Sequence, residues 1–267
     1  MGFRAAKERE ISPHFIIEVW GKEKSGKTRL GLTAPVPIYL YNFDRGYDRV
    51  ERSMRTDSST IPIEPSFEER YDRGLILVTD YSGMVKGKPG SLQAEDVENG
   101  REILRQFEED WWKMVNNEFC KPPPAGLGLP KGGTAIIDTG TLIWNIAGHV
   151  LHKKAPPNQP WIQYTMRNDF FRRLLSSARD SGRNVIFIHH DTEIYGQEGT
   201  ILGTRAQGDK LVARAADIVI KMRSEKQAQA GLPSFKTRIE DCGLNASVTG
   251  QELDGATFDE LIEMVLN

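Results

Sequence analysis

The chain has 267 residues, 39% of them hydrophobic and 27% charged, with a formal net charge of −2. This composition excludes collagen-like, coiled-coil and wholly disordered chains, and the near-neutral charge excludes a globally basic nucleic-acid binder while leaving room for a local basic patch. Two cysteines, Cys120 and Cys242, are too few for a disulfide framework or a four-ligand zinc site. Met1–Glu10 is charged, and no apolar run approaches the ~20 residues that span a bilayer. A soluble, cytoplasmic protein with no membrane partner is therefore expected.

The predicted elements alternate. Residues 1–14 read as an N-terminal arm, and 15–267 as one α/β domain. Phe15–Trp20 is a β-branched and aromatic run that predicts a buried strand. A glycine- and lysine-rich stretch over 21–28 leads into a short helix, which Pro35 and Pro37 stop. Ile38–Phe43 and Leu75–Thr79 predict two further strands, with 51–74 read as a loop or small insertion. Residues 82–94 read as loop, and apolar residues from Val97 to Val115 recur at helical spacing over 95–117. A proline- and glycine-rich linker precedes the strand Thr134–Asp138. Helices are predicted over 141–153 and 161–181, then a strand Asn184–Ile188 closed by His189 and His190. Residues 191–208 read as a polar, glycine-containing loop. A helix over 209–216, a strand over 217–222, an edge strand over 234–240 and a helix over 257–266 complete the chain. Strands alternating with helices predict a mostly parallel sheet flanked by helices, with ligands at the carboxyl ends of the strands.

One motif is specific. Gly21-Lys22-Glu23-Lys24-Ser25-Gly26-Lys27-Thr28 fits the Gly-x-x-x-x-Gly-Lys-[Ser/Thr] phosphate loop, with a predicted strand before it and a helix after it. Backbone N–H groups of such a loop form an anion nest, its lysine reaches the β- and γ-phosphates, and its hydroxyl ligates Mg²⁺. Asp138 ends a buried strand, where a carboxylate serves either as a Mg²⁺ ligand or as the cap of the next helix. The motif predicts a bound nucleotide with Mg²⁺ and leaves the base open.

These residues resemble the RecA superfamily of P-loop ATPases and, more closely, the phage-type RecA-like single-strand-annealing ATPases, over residues 15 to about 245. The resemblance implies a RecA-like P-loop NTPase core that hydrolyses Mg·ATP at subunit interfaces. It implies that Asp44, at the end of the second strand, orients the attacking water, where the recombinases usually carry glutamate; its other reading is a turn residue before Arg45-Gly46. It places a γ-phosphate sensor at His189 or His190, where glutamine is common; two structural histidines are the other reading. It places DNA contacts in two loops, at Lys153 and Lys154 and at Tyr195, Arg205 and Lys210. It makes Lys236 and Arg238 a pair that acts in trans on a neighbour's γ-phosphate, against a solvated strand face. Phe3-Arg4-Ala5-Ala6 matches the Phe-x-x-Ala subunit tether. The implied partners are single-stranded DNA, further copies of the chain in a ring or filament, and a single-stranded-DNA-binding protein.

Three alternatives stand beside this reading. Asp80-Tyr81-Ser82-Gly83 fits the Asp-x-x-Gly of a P-loop GTPase switch, but the chain has no Asn-Lys-x-Asp motif. A small-molecule kinase needs an arginine-rich lid, for which Arg167, Arg172 and Arg173 are the candidates. Aspartate at position 44 also admits a non-catalytic, nucleotide-gated binding module. His149 and His152 lie one helical turn apart, without a third metal ligand nearby.

Overall fold

The computed structural model describes residues 14–56, 65–84, 94–118, 132–152, 162–196, 199–208, 210–226 and 233–267. In chain order these form β1 (Ile16–Trp20), α1 (Lys27–Leu32), β2 (Ile38–Asn42), α2 (Gly46–Thr56), α3 (Phe67–Asp72), β3 (Ile76–Asp80), α4 (Ala94–Val115), β4 (Thr134–Asp138), α5 (Gly140–His152) and α6 (Ile162–Asp180). There follow β5 (Asn184–His189), β6 (Asp191–Tyr195), β7 (Ile201–Ala206), α7 (Lys210–Ala215), β8 (Ile218–Lys226), β9 (Pro233–Cys242), β10 (Glu252–Asp254) and α8 (Phe258–Leu266).

Eight strands make one mixed sheet in the order β10-β9-β8-β1-β5-β4-β2-β3. From β8 to β3 every pairing is parallel, whereas β9 and β10 run antiparallel to their neighbours. The central strands are buried along their whole length, as strands covered on both faces must be. Their side chains alternate between two cores. Ile17, Val19, Leu40, Ile136 and Ile188 pack with α1, α2, α3 and α8 on one face. Ile16, Tyr41, Ile137, Val185 and Phe187 pack with α4, α5, α6 and α7 on the other.

The register lines up the strand ends that matter. Trp20 of β1 pairs with His189 of β5, Ile188 with Asp138 of β4, and Asp138 with Asn42 of β2. The chain therefore leaves β1, β5, β4 and β2 at one edge of the sheet, and β5 lies between the strand before the phosphate loop and the strand ending in Asp138.

Three expectations need correction. Within 51–74, expected to be a loop or small insertion, lie the end of helix Gly46–Thr56 and the whole of helix Phe67–Asp72. Tyr47, Val50 and Met54 fall at helical spacing and pack on the core, and a capping box of Ser66 and Glu69 starts α3. Residues 191–206 are not loop but a two-stranded hairpin, β6 against β7, paired from Asp191↔Ala206 to Tyr195↔Ile201. Glycines inside the run obscured its β-branched residues Thr192, Ile194, Ile201 and Thr204. The strand at 234–240 is not the sheet edge, because the short β10 pairs with it outside.

Candidate nucleotide site

The phosphate loop joins β1 to α1. Lys24 and Gly26 both take left-handed backbone angles, φ 60° and 90°, so the loop curls and its N–H groups converge. At Gly26 this requires glycine twice over, since a Cβ there would also stand 2.7 Å from the Phe235 ring. No side chain caps the start of α1, and its first turn carries no acid. Its leading N–H groups thus point at the space where an anion would sit.

That space is a cavity of about 290 Å³. It is lined by the loop from Glu23 to Thr28, by Asp44, Asp138, Thr139 and His190, and by Phe235. Lys27 is buried and its amino group donates to the Gly21 and Lys22 carbonyls at 2.8 and 2.6 Å. Burial lowers its pKa, opposed by the charges of Asp138, Asp191, Asp44 and Glu23. The Thr28 hydroxyl donates to Asp138 Oδ2 at 2.5 Å, joining residues 110 apart in sequence.

Asp138 is 2% exposed, and its pKa is raised to about 7, chiefly by burial and then by the Asp44 charge. The Thr28 hydrogen bond, Lys27 and Arg49 pull the other way. Helix α5 is capped by another residue: the Leu142 N–H donates to Thr139 Oγ1 at 3.2 Å. Asp138 is thereby released from the capping role and turned to the cavity. Asp44 makes the turn that was its other reading and also borders the cavity. Its Oδ1 accepts from the Gly46 N–H at 2.8 Å, forming the turn into α2, and it lines the cavity. A hard cation is suited by such oxygens, and Mg²⁺ commonly takes one or two carboxylates plus phosphates rather than an all-protein cage. Accordingly the oxygens suit a Mg²⁺ ion that shares its ligands with a phosphate, although among the described residues no group of three or more His, Cys, Asp or Glu is arranged to hold a metal by itself.

The two histidines separate as strand neighbours should. His190 faces the cavity, its Nε2 3.7 Å from Asp44 Oδ2, and burial followed by the Lys27 charge lowers its pKa. His189 faces the opposite side of the sheet, fully buried, with Nε2 3.7 Å from Glu18 Oε1. Burial lowers the His189 pKa to about 4 and raises that of Glu18 to about 7. Between those values the two meet as neutral acid and neutral imidazole. The ring is wedged between two glycines: a Cβ on Gly140 would stand 2.6 Å from Cε1, and one on Gly208 closer still. Beside it, the Thr141 hydroxyl donates to the Gln207 carbonyl at 2.6 Å and accepts from the His190 N–H at 3.0 Å. The end of the hairpin is therefore tied to the start of α5, two residues beyond Asp138.

The remaining expected residues that are described do not line the phosphate cavity. Arg205 and Lys210 border a second, open cavity of about 920 Å³, together with Arg167, Arg214, Trp20 and Glu18. Tyr195 stands outside it at the far end of the hairpin, 62% exposed, its hydroxyl donating to Glu193. Lys236 pairs with Asp254, and Arg238 Nε lies 3.6 Å from Glu240 Oε1; neither lines the phosphate cavity. Lys153, Lys154, the Phe3–Ala6 tether and most of the 1–14 arm lie outside the described residues, as does the His152 side chain.

Seven residues at the phosphate cavity were not among the expected site residues: Arg29 from α1, Gly46, Arg49, Val50 and Ser53 from α2, Thr139 before α5, and Phe235 from β9. The spacing of Tyr47, Val50 and Met54 was the available signal for α2. No protein-family model matches the chain, and no curated protein matches it in sequence. Among the described residues no helix is long and apolar enough to cross a membrane.

Proposed function

We propose that the chain is a RecA-like P-loop ATPase that binds Mg·ATP at the Gly21–Thr28 loop, binds single-stranded DNA, and works as a ring or filament in recombination or strand annealing. The observation that carries this reading is the meeting of Thr28 and Asp138 at 2.5 Å inside a cavity bounded by the phosphate loop. Sequence distant by more than a hundred residues is brought together at the carboxyl ends of parallel strands, where this architecture places ligands.

A Mg²⁺ ion held at this site would supply positive charge that offsets the charge of the phosphates. Thr28 and Asp138 would hold the ion, with the loop N–H groups and Lys27 on the phosphates. Asp44 would orient the attacking water and accept its proton at Oδ2, the oxygen that faces His190. His190 would donate to a γ-phosphate oxygen and pass its position to the hairpin through its own N–H and Thr141. Arg205 and Lys210 would track DNA phosphates while Tyr195 stacks on a base. Lys236 and Arg238 would act on the γ-phosphate of a neighbouring copy.

The other readings find less support. Asp80 lies outside the phosphate cavity, where its Oδ1 accepts from Asn42 and from the Ser82 N–H. Arg172 and Arg173 pair with Asp169 and Glu108, and Arg167 lies over the Trp144 ring, so none forms a phosphate lid. A non-catalytic nucleotide-gated module retains one supporting observation, the Gly46 N–H held by Asp44 Oδ1. Turnover measured with ATP and with GTP, each with and without single-stranded DNA, tests the proposal. DNA-stimulated ATP hydrolysis is expected. DNA-independent GTP turnover would favour the switch, and nucleotide-dependent DNA binding without turnover would favour the module.

A further inference from the structure

The phosphate cavity is bordered by four cationic side chains, Lys24, Lys27, Arg29 and Arg49. Three of them arrive with the phosphate loop and α1. Arg49 alone comes from α2, an element with no part in the phosphate-loop motif.

Helix α2 is anchored at both relevant points. Its first N–H, from Gly46, donates to Asp44 Oδ1, and Tyr47, Val50 and Met54 pack into the core. These contacts fix its rotation, so that Gly46, Arg49, Val50 and Ser53, at helical spacings of three, four and seven, turn one face to the cavity. A Cβ on Gly46 would stand 2.8 Å from Asp44 Oδ1 and 3.6 Å from Asp138 Oδ2. Arg49 thus lies one helical turn along α2 from Gly46 and lines the same cavity as Asp44 and Asp138. Its positive charge acts on the Asp138 carboxyl and helps hold it down against burial.

Two carboxylates lining a phosphate pocket repel the terminal phosphate. A guanidinium beside them offsets that repulsion and presents paired N–H donors that match phosphate oxygens. We propose that Arg49 is a γ-phosphate contact supplied in cis, through which a single subunit distinguishes a nucleoside triphosphate from a diphosphate. This rests on the nucleotide reading of the site, but not on assembly, and is separate from the roles of Lys236 and Arg238. An arginine serving the terminal phosphate can come from the same chain or from a neighbour; here α2 supplies one from the same chain.

The test is equilibrium binding, not turnover. A fluorescent non-hydrolysable ATP analogue and the matching ADP analogue are titrated with Mg²⁺ into wild type, Arg49→Ala, Arg49→Lys and Arg52→Ala. Arg52 does not line the cavity, and its variant controls for the loss of one positive charge from α2. Titrations are run at a protein dilution shown by sedimentation to be monomeric. Arg49→Ala should weaken triphosphate binding about tenfold or more, as expected for loss of a charge-assisted hydrogen bond, and leave diphosphate binding within about twofold. Arg49→Lys should recover part of the preference, and Arg52→Ala should keep all of it. Equal weakening of both nucleotides, no weakening of either, or an effect seen only after assembly would overturn the assignment. If wild type binds neither nucleotide, the nucleotide reading itself fails and the assignment with it. If wild type binds both and Arg49→Ala matches it, only the assignment falls.

Discussion

At the scale of single residues, the site separates groups that a nucleotide would touch from groups that only support it. Lys27 is the buried cation of the loop. Lys27→Ala should abolish ATP turnover and weaken Mg·ATP binding, read by calorimetry; turnover at the wild-type level would remove the phosphate-loop assignment. Asp138→Asn should keep the fold, since Thr28 can still donate to the remaining oxygen, while shifting the Mg²⁺ dependence of hydrolysis to higher concentration. An unchanged Mg²⁺ titration would leave Asp138 as a structural partner of Thr28 alone. Glu18 gives a prediction on stability. Burial raises its pKa from 4.5 to about 7, so the folded state holds a proton that the unfolded chain has released between those values. Its contribution to stability is therefore complete below pH 4.5, falls as pH rises, and is lost above pH 7, by roughly 3 kcal/mol in all. Glu18→Gln should accordingly gain stability relative to wild type at pH 8 compared with pH 4.5. Denaturant melts at both values measure that difference, and a difference of zero would show that Glu18 is ionised at no cost.

At the scale of elements, legibility followed the source of each element's stability. The strands of the parallel sheet are continuous apolar runs, and β1, β2, β4 and β5 stand within a residue of where the sequence predicted them. The long helices α4 and α6 were legible from periodicity for the same reason. What stayed hidden is structure held by contacts distant in sequence. Helix α2 has a polar surface and reads as insertion until its three apolar residues find the core, and with it went Arg49, Val50 and Ser53. Strand β10 has three residues and exists because β9 offers it hydrogen bonds. Phe235 looks like any strand aromatic until the fold sets it against Gly26. The hairpin β6–β7 is the element on which the DNA proposal depends. Tyr195→Ala should weaken single-stranded DNA binding by roughly 1–3 kcal/mol if the ring stacks on a base. Arg205→Ala should weaken it and also flatten its salt dependence, because one phosphate contact is gone. Anisotropy titrations across a salt series check both. No binding at low salt with any nucleotide would end the DNA reading.

At the scale of the whole molecule, Lys236 and Arg238 engage acids of their own chain and do not line their own phosphate cavity, and the proposal gives them a neighbour's ATP to act on. A Lys27→Ala subunit retains that basic pair, and an Arg238→Ala subunit retains a complete phosphate loop. Each alone should be nearly inactive, and a mixture should regain activity at hybrid interfaces. A mixture as inactive as its parts, with co-assembly shown, would assign the pair to surface charge. The wedged imidazole of His189 has a consequence of its own. Gly140 begins α5, and Gly208 follows the hairpin on the way to α7, so two separate segments owe their lack of a side chain to a single ring. Gly208→Ala alone should cost on the order of 1–3 kcal/mol through overpacking. Combined with His189→Ala, which vacates the space, it should cost less than the sum of the two single changes. The three positions then form one unit of inheritance: a lineage that lost the histidine would be free to drift at both glycines, and one that kept it would hold all three together.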